Sequence, residues 1–219
     1  MRVLASADLH GKQPVYEWLA RMASIHQVEA VVLGGDLLGC PDGFETPEAA
    51  QEWEGQQLSE FLAAMGLPIL YIMGNDDLVE LNPTCDRLQS MNGRRIQVGA
   101  CSFVGYQYSL PFMGGTFEKP EEGIKIDLST LDHLVSSKTV FVSHSPALGI
   151  LDPGVGDVQI GSRSLKEFLE RHSCYVHIHG HSHGGFGRHG SHFNVASAGR
   201  RRAMILNLET LEHQIIRDE

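Results

Sequence analysis

Residues 2–11 read Arg2-Val3-Leu4-Ala5-Ser6-Ala7-Asp8-Leu9-His10-Gly11, a short apolar run that ends in an acid, a histidine and a glycine. The run has the length and composition of a buried strand. Other apolar runs along the chain also end in Gly, Asp, Asn, Ser or His. The later islands are Gly34-Gly35-Asp36, Gly74-Asn75-Asp76-Asp77, Ser143-His144-Ser145-Pro146 and Gly180-His181-Ser182-His183. This recurrence predicts a group of polar side chains at the ends of several strands.

Apolar runs alternate with amphipathic segments, which predicts strands that alternate with helices. Such alternation is typical of a mainly parallel sheet with right-handed crossovers. The predicted strands are Arg2–Ser6, Val28–Leu33, Pro68–Ile72, Ser102–Tyr106, Thr139–Val142 and Cys174–His179, and the predicted helices lie near Pro14–Ile25, Pro47–Met65, Asp127–Ser136 and Ser162–Arg171.

The C-terminal part of the chain has a different pattern, with three short strands predicted at His192–Ser197, Ala203–Leu208 and His213–Ile216. The last two read as a hairpin around Glu209-Thr210. These strands predict a second, more antiparallel sheet that packs on the first.

Bulk composition limits the class of protein. A chain of 219 residues can bury a sizeable core, and we predict one domain spanning residues 1–219. The net charge of −10 argues against nucleic acid as a partner, because phosphate backbones select basic surfaces. We expect no membrane segment and no signal peptide. The four cysteines are widely spaced without a CxxC pair, which favours reduced thiols and a cytoplasmic location.

The polar islands have the chemistry of metal ligands. Ligands in an open α/β sheet bind beyond the carboxyl ends of the strands, so we expect the islands to share one edge. Carboxylate, imidazole and amide together suit Mn, Fe, Zn, Ni or Co better than Ca or Mg. Such a set exceeds one tetrahedral zinc and fits two metals about 3.5–4 Å apart, an arrangement typical of phosphate-ester hydrolysis. The candidate metal ligands are Asp8, His10, Asp36, Asn75, His144, His181 and His183.

Each island also has an ordinary structural interpretation. Asp8 could cap a helix, Asp36 and Asn75 could be turn residues, and His144 could be a hydrogen-bonded loop histidine. Only the joint occurrence of the islands, in this order, favours metal binding. Two further histidines, His177 and His179, lie in a predicted strand and are interpreted as structural or supporting residues.

The islands together resemble the calcineurin-like metallophosphoesterase superfamily, whose pattern is D-x-H, G-D, G-N-H-[DE], H and G-H-x-H. The match extends from residue 8 to residue 183, and the stretches after His144 and His183 further resemble its Icc-related branch. The resemblance implies a four-layer α/β/β/α sandwich with two mixed β-sheets flanked by helices.

The resemblance also implies roles for the ligands. Asp8, His10, Asp36 and His183 would hold one metal. Asp36, Asn75, His144 and His181 would hold the second, with Asp36 shared by both ions. A hydroxide that bridges the metals would attack the phosphorus of a phosphodiester or phosphomonoester. Manganese is the ion favoured for assays.

One position departs from the superfamily pattern, because Asp76 replaces the histidine that normally contacts the phosphate or protonates the leaving group. An aspartate has an ordinary pKa of about 3.9, so an ionised Asp76 would repel a phosphate oxygen. Asp76, Asn75 and His144 are the predicted catalytic residues. We expect activity on activated esters or diesters rather than on esters with poor leaving groups.

The remaining expectations concern substrate and partners. We expect a small phosphate-ester substrate, in a pocket shaped by the flexible segments Gly39–Thr46 and Ser109–Gly123. The oligomeric state cannot be predicted from the sequence. Superfamily members that serve as binding scaffolds give the alternative function, a protein of weak or absent activity. Residues that could contact phosphate are Lys12, Arg188 and Arg200-Arg201-Arg202, and residues expected to support the site are Asn194 and Ser197.

Overall fold

Two six-stranded mixed sheets pack face to face within residues 1–218, the part of the chain that the computed structural model describes. The strands in chain order are β1 (Arg2–Ser6), β2 (Ala30–Gly34), β3 (Ile69–Ile72), β4 (Leu88–Ser90), β5 (Arg95–Val98), β6 (Cys101–Tyr106), β7 (Thr139–Ser143), β8 (Val176–His179), β9 (Gly187–His189), β10 (His192–Asn194), β11 (Arg202–Asn207) and β12 (His213–Arg217). The helices are α1 (Gln13–Ile25), α2 (Pro47–Ala64), α3 (Glu121–Thr130) and α4 (Arg163–His172).

Each sheet has a parallel centre and antiparallel strands at an edge. The first sheet has the order β12-β11-β1-β2-β3-β4, in which β1 to β4 are parallel and the β11–β12 hairpin is antiparallel to β1. The second has the order β5-β6-β7-β8-β10-β9, with antiparallel pairing for β5 and β9 at its edges. The carboxyl ends of β1, β2 and β3 therefore meet at one edge, and those of β7 and β8 meet at an edge of the other sheet.

Apolar side chains separate the molecule into four layers. Successive residues of a strand point to opposite faces, so Val3 and Ala5 of β1 pack between the two sheets while Leu4 packs toward α1 and α2. On the far side, Phe141 of β7 packs with Phe168 of α4. The α/β/β/α sandwich implied by the resemblance is confirmed.

Local sequence signals set the helix boundaries. Thr46 caps α2 by accepting a hydrogen bond from the Ala49 amide at 3.2 Å, and Pro47 follows in the first turn. Ser162 caps α4 in the same way, with the Leu165 amide at 3.1 Å from its hydroxyl oxygen. The helix predicted near Ser162–Arg171 therefore begins, as expected, next to Ser162.

Two predictions about the fold were wrong, and some strands were missed. The hairpin of β11 and β12 exists, but it joins the first sheet beside β1, whereas the second sheet is built mainly from β6, β7 and β8. The third helix begins at Glu121 after Pro120 rather than near Asp127, so that Gly123 lies inside it. The short strands β4, β5 and β9 were not predicted.

Within residues 1–218, every helix is too short or too polar to cross a bilayer. Glu219, the last residue of the predicted domain, lies outside the described residues.

Candidate metal centre

The seven predicted metal ligands all lie just beyond the carboxyl ends of strands, where the two sheets approach each other. The first sheet contributes Asp8, His10, Asp36 and Asn75, and the second contributes His144, His181 and His183. The prediction of a common edge was made for one sheet. The side chains meet although they come from two sheets.

One group of candidate ligands contains Asp8, His10 and His183, whose ligand atoms all lie within 4.8 Å of one another. Asp8 is fully buried, and its carboxylate accepts a hydrogen bond from the His181 amide at 3.0 Å. The Nε2 atom of His183 lies 3.2 Å from Asp8 Oδ1. The His181 amide thus fixes the orientation of a carboxylate that faces two imidazoles.

A second group contains Asp36, His144 and His181, again with ligand atoms within 4.8 Å of one another. The Asn75 amide completes it, because Asn75 Oδ1 lies 2.9 Å from His144 Nε2. All four side chains come from residues that are buried or nearly so. The group therefore combines carboxylate, imidazole and amide donors in a site with little access to water.

The donor atoms of the second group fit a divalent cation. His144 Nδ1 makes a 2.9 Å hydrogen bond with the Gly34 carbonyl, so His144 Nε2 faces Asn75 Oδ1 and, at 3.3 Å, Asp36 Oδ2. A neutral imidazole in this tautomer would direct a lone pair at two oxygens, which is unfavourable unless a proton or a cation lies between them. The Gly34 carbonyl thus holds His144 in the tautomer that a metal needs.

The pKa values of this group follow from burial and from the Asp36–His144 pair. Burial lowers the pKa of His144, but the Asp36 carboxylate, with Asp8 and the Gly34 carbonyl, raises it overall to about 10. Burial raises the pKa of Asp36, but His144 lowers it, to about 2 overall. Burial and then the charge on His144 lower the pKa of His181 to about 4. Ionised Asp36 and neutral His181 are in metal-binding states, and His144 must release its proton to bind an ion.

The backbone is strained at several candidate ligands. Asp8, His10, Asp36 and His181 have φ angles of 57°, 48°, 51° and 64°, in the left-handed region. Few residues other than glycine adopt this region, although Asp and His do so more readily than most. Strained backbone of this kind persists only where the surrounding fold maintains it, and it is common at functional sites.

Two glycines allow the backbone to approach the ligands closely. A Cβ atom on Gly74 would lie 2.3 Å from Asp36 Oδ1, and one on Gly180 would lie 2.5 Å from Asp8 Oδ2. Both distances are far shorter than an ordinary contact. These positions therefore require glycine if Asp36 and Asp8 are to keep their orientation.

The two aspartates after Asn75 have different surroundings. Asp77 is fully buried and accepts hydrogen bonds from the amides of Leu37, Leu38 and Gly74. Burial, followed by the Asp36 charge, raises the pKa of Asp77 to about 8, while the three amide donors act in the opposite direction. Asp77 thus ties the loop after β3 to the loop after β2.

Asp76, by contrast, has a side chain that is 46% exposed and lies in the centre itself. Its Oδ2 atom is 3.4 Å from His10 Nδ1, and its Oδ1 atom accepts a 2.7 Å hydrogen bond from the Asn75 side-chain amide. Burial, and then the Asp36 carboxylate, raise the pKa of Asp76.

The residues that the sequence assigned to a supporting role contact ligand loops. The Ser197 hydroxyl donates to the Asp8 carbonyl at 2.9 Å, and the Asn194 side chain donates to the Ser182 carbonyl at 2.8 Å. Both hydrogen bonds hold the backbone of a segment that carries candidate ligands.

The two strand histidines of β8 lie apart from the ligand groups. The Nε2 atom of His177 lies 2.7 Å from Ser143 Oγ, and its ring is buried. Burial lowers the pKa of His179 to about 3, so its ring is neutral. Neither residue belongs to a group of atoms that could hold a metal within the described residues.

Part of the segment Ser109–Gly123, predicted to be flexible, lies beside the candidate ligands. The Glu118 carboxylate accepts hydrogen bonds from the amides of Phe112, Met113 and Gly114, each at 2.9 Å. Phe112 is 69% exposed, and its ring centroid lies 6.4 Å from that of His181. No sequence pattern marked Phe112 or Glu118, because the contacts join positions that are distant from the ligand islands.

Most of the candidate phosphate-binding cations have other contacts. Arg188 binds the carbonyls of Gly190 and Leu211, and Arg201 pairs with Asp218. Arg202 is partly buried and donates to the Ala196 carbonyl, with its guanidinium 4.0 Å from the centroid of the Phe186 ring. These contacts favour structural roles for the three arginines.

Fold and site together define an α/β/β/α protein with a candidate centre for two metal ions. The chain belongs to the calcineurin-like phosphoesterase family, whose family model matches residues 1–185. No curated protein matches the sequence significantly.

Solved structures confirm the architecture. One crystal structure matches with a TM-score of 0.81 at 13% identity, covering 99% of this chain and 98% of the other. The TT1561 protein of Thermus thermophilus matches with a TM-score of 0.75 at 15% identity, with coverage of 99% and 98%. A dimetal phosphatase from Danio rerio matches with a TM-score of 0.58 at 13% identity, with coverage of 99% and 98%. At these identities the likeness concerns the fold.

Proposed function

We propose that this protein is a phosphoesterase that uses two divalent metal ions to hydrolyse small phosphodiesters or phosphomonoesters. The observation that carries the proposal is the convergence of Asp36 Oδ2 and Asn75 Oδ1 on His144 Nε2, beside the separate group of Asp8, His10 and His183. Asp36 lies between the two groups and is the candidate shared ligand.

Bound ions would polarise the phosphoryl group and lower the pKa of water enough to supply a nucleophile near neutral pH. The chain itself would orient the ligands for this task. The Gly34 carbonyl fixes the ring of His144, and the His181 amide fixes the carboxylate of Asp8. The donor set suits Mn, Fe, Zn, Ni or Co. We propose Mn as the ion for assays.

Asp76 narrows the substrate class that we propose. A carboxylate at this position, 2.7 Å from the Asn75 amide, cannot provide the positive charge or the proton of a histidine as long as it is ionised. Esters with good leaving groups, and diesters, need this help least. The net charge of −10 disfavours nucleic acid, so a small ester is the proposed substrate.

The first test is metal analysis of the purified protein, followed by assays with Mn²⁺ on p-nitrophenyl phosphate, bis-p-nitrophenyl phosphate and cyclic nucleotides. We expect turnover of at least one ester, and we expect Asp36→Asn to abolish it because both groups depend on this carboxylate. Asp86→Asn removes the same charge from an exposed position and is the matched control. Full activity of Asp36→Asn would refute the proposal.

A second test concerns Asp76 and the leaving group. If Asp76 limits the substrate class, Asp76→His should raise the rate on alkyl monoesters more than the rate on p-nitrophenyl esters. Equal rates of the variant and the parent on alkyl monoesters would show this part of the proposal to be wrong.

The alternative function, a binding scaffold of low activity, is not favoured, because no candidate ligand is missing from the two groups that the described residues form. Fewer than one metal per chain and no turnover of any ester would support it. We also propose that residues 1–219 act as one domain in a reducing compartment such as the cytoplasm. The proposal of a reducing compartment is supported by the four cysteines, which are unpaired in the described structure.

A further inference from the structure

The carboxylate of Asp76 lies close to His10 and Asp36, two candidate ligands of the first metal. One oxygen of Asp76, one nitrogen of His10 and one oxygen of Asp36 are all within 4.8 Å of one another. Metal–ligand bonds of about 2.0–2.2 Å place the ligand atoms of one ion up to about 4.4 Å apart, so one ion could bind all three side chains after a small shift at most. His10 and Asp36 are themselves candidate ligands of the first metal, so these three atoms face the same position.

The orientation of Asp76 is fixed on three sides. Its backbone amide donates to Asp36 Oδ1 at 2.8 Å, and its backbone carbonyl accepts from Gln51 Nε2 at 2.9 Å. Gln51 is 1% exposed and belongs to α2, so this anchor is firm. The side-chain amide of Asn75 holds Asp76 Oδ1, which leaves Asp76 Oδ2 to face His10.

The charges near Asp76 favour a cation at this position. Asp36 and Asp76 place carboxylate oxygens within 4.8 Å of each other, and two like charges at that spacing repel unless a cation lies between them. Within residues 1–218, Asp76 forms no ion pair with lysine or arginine, and its contact with His10 supplies a charge only if that ring is protonated. A metal ion shared by the three side chains removes the repulsion.

From these contacts we infer that Asp76 is an additional ligand of the first metal, beside His10 and Asp36. This inference rests on the proposed function, since it assumes that the centre binds metal. It explains why an acid is accommodated where the superfamily pattern has histidine. Asp76 then adds a third carboxylate to those of Asp8 and Asp36, so the ligand set carries one more negative charge than the pattern predicts.

The test measures metal binding rather than activity. The full-length protein is freed of metal with a chelator and titrated with Mn²⁺, and free Mn²⁺ is counted from its electron paramagnetic resonance signal. We expect the parent chain to bind two ions. Asp76→Asn should weaken one of the two binding steps by about 10- to 100-fold, the range found when groups that support metal sites are removed. Asp86→Asn, with the same loss of charge at an exposed position, should keep both constants.

The outcomes separate this inference from the proposed function. Two binding steps in Asp76→Asn with the constants of the parent chain would overturn the inference and leave the metal centre intact. Fewer than one Mn²⁺ bound by the parent chain would overturn both. Asp76→Ala provides a second variant, and thermal unfolding in chelator checks that each variant is folded. Loss of affinity in a variant that unfolds at the parent temperature supports the inference.

Discussion

Replacement of Gly74 by alanine should disable the candidate metal centre while leaving the fold in place. The new Cβ would lie 2.3 Å from Asp36 Oδ1 and 2.6 Å from the Cε1 atom of His144. Ordinary carbon contacts are about 3.5 Å or longer, so both side chains must move by roughly 1 Å. The Asp36 backbone nitrogen, 2.5 Å from the new Cβ, must move as well. Metal sites tolerate deviations of only about 0.2 Å in their ligand distances. Gly74→Ala therefore displaces two candidate ligands beyond that tolerance.

The expected loss is large enough to measure. Loss of groups that merely support ligands weakens metal binding about 10- to 100-fold, which is roughly 1.4–2.7 kcal/mol, and displacement of the ligands should cost at least as much. Overpacking of this kind also lowers the free energy of unfolding by about 1–3 kcal/mol. Urea unfolding of the chelated protein measures the second quantity, and titration with Mn²⁺ measures the first.

Gly123→Ala is the matched control for this experiment. Gly123 lies inside α3, where the nearest atom to an added Cβ is 3.5 Å away, so alanine fits without displacement. Alanine is also the better helix former, by roughly 0.5–1 kcal/mol. The control should bind metal as the parent chain does. If Gly74→Ala bound two Mn²⁺ with parental constants, the geometric reasoning would be refuted.

Other predictions concern the scaffold around the centre. Ser162→Ala removes the cap of α4 and should lower the unfolding free energy by about 1 kcal/mol, read as a shift of roughly 2–4 °C in Tm by calorimetry. Phe168→Ala empties a core position that is 1% exposed and should cost about 3–5 kcal/mol in urea unfolding, whereas Ile126→Ala, 59% exposed, should cost far less. Burial would raise the pKa of Glu118, but its backbone amide donors lower it overall. The hydrogen bonds from the amides of residues 112–114 to Glu118 should therefore order this loop fully above the ordinary pKa, and the order should be lost as pH falls through the lowered pKa. NMR amide shifts of Gly114 check this against Glu118→Gln, which should show a disordered loop at neutral pH; an unchanged loop in that variant would contradict it.

The positions of the candidate ligands could be predicted because each follows an apolar run. Asp8, Asp36 and His144 are each two or fewer residues beyond a strand of confirmed position. Strand ends bring such residues together whichever sheet supplies the strand. The candidate ligands therefore lie close together although the assignment of strands to sheets was wrong.

The division into two sheets could not be predicted from apolar runs. The strands β7 and β8 are buried at every position, and burial on both faces leaves no pattern that tells one covered sheet from another. The edge strands β4 and β5 have only three and four residues, too few for a polar–apolar pattern to mark a strand. Tertiary pairing, which no local pattern records, decides both features.

The neighbours of Asp76 could not be predicted from the sequence either. Its neighbours His10, Asp36 and Gln51 come from three separate segments, and only the fold brings their atoms within contact distance. The sequence identified Asp76 as a departure from the superfamily pattern. The contact between Asp76 and His10, which only the structure shows, is the basis for proposing Asp76 as a metal ligand.

The left-handed backbone at Asp8, His10, Asp36 and His181 implies a trade-off between stability and activity. Residues held in such conformations cost of order 1–3 kcal/mol each, and a glycine in their place would relieve the cost. Because His10 has a partly exposed ring rather than a core position, His10→Gly is the substitution expected to raise Tm in the ion-free protein while removing a candidate ligand. Selection for thermostability alone would therefore tend to remove the residues of this candidate centre.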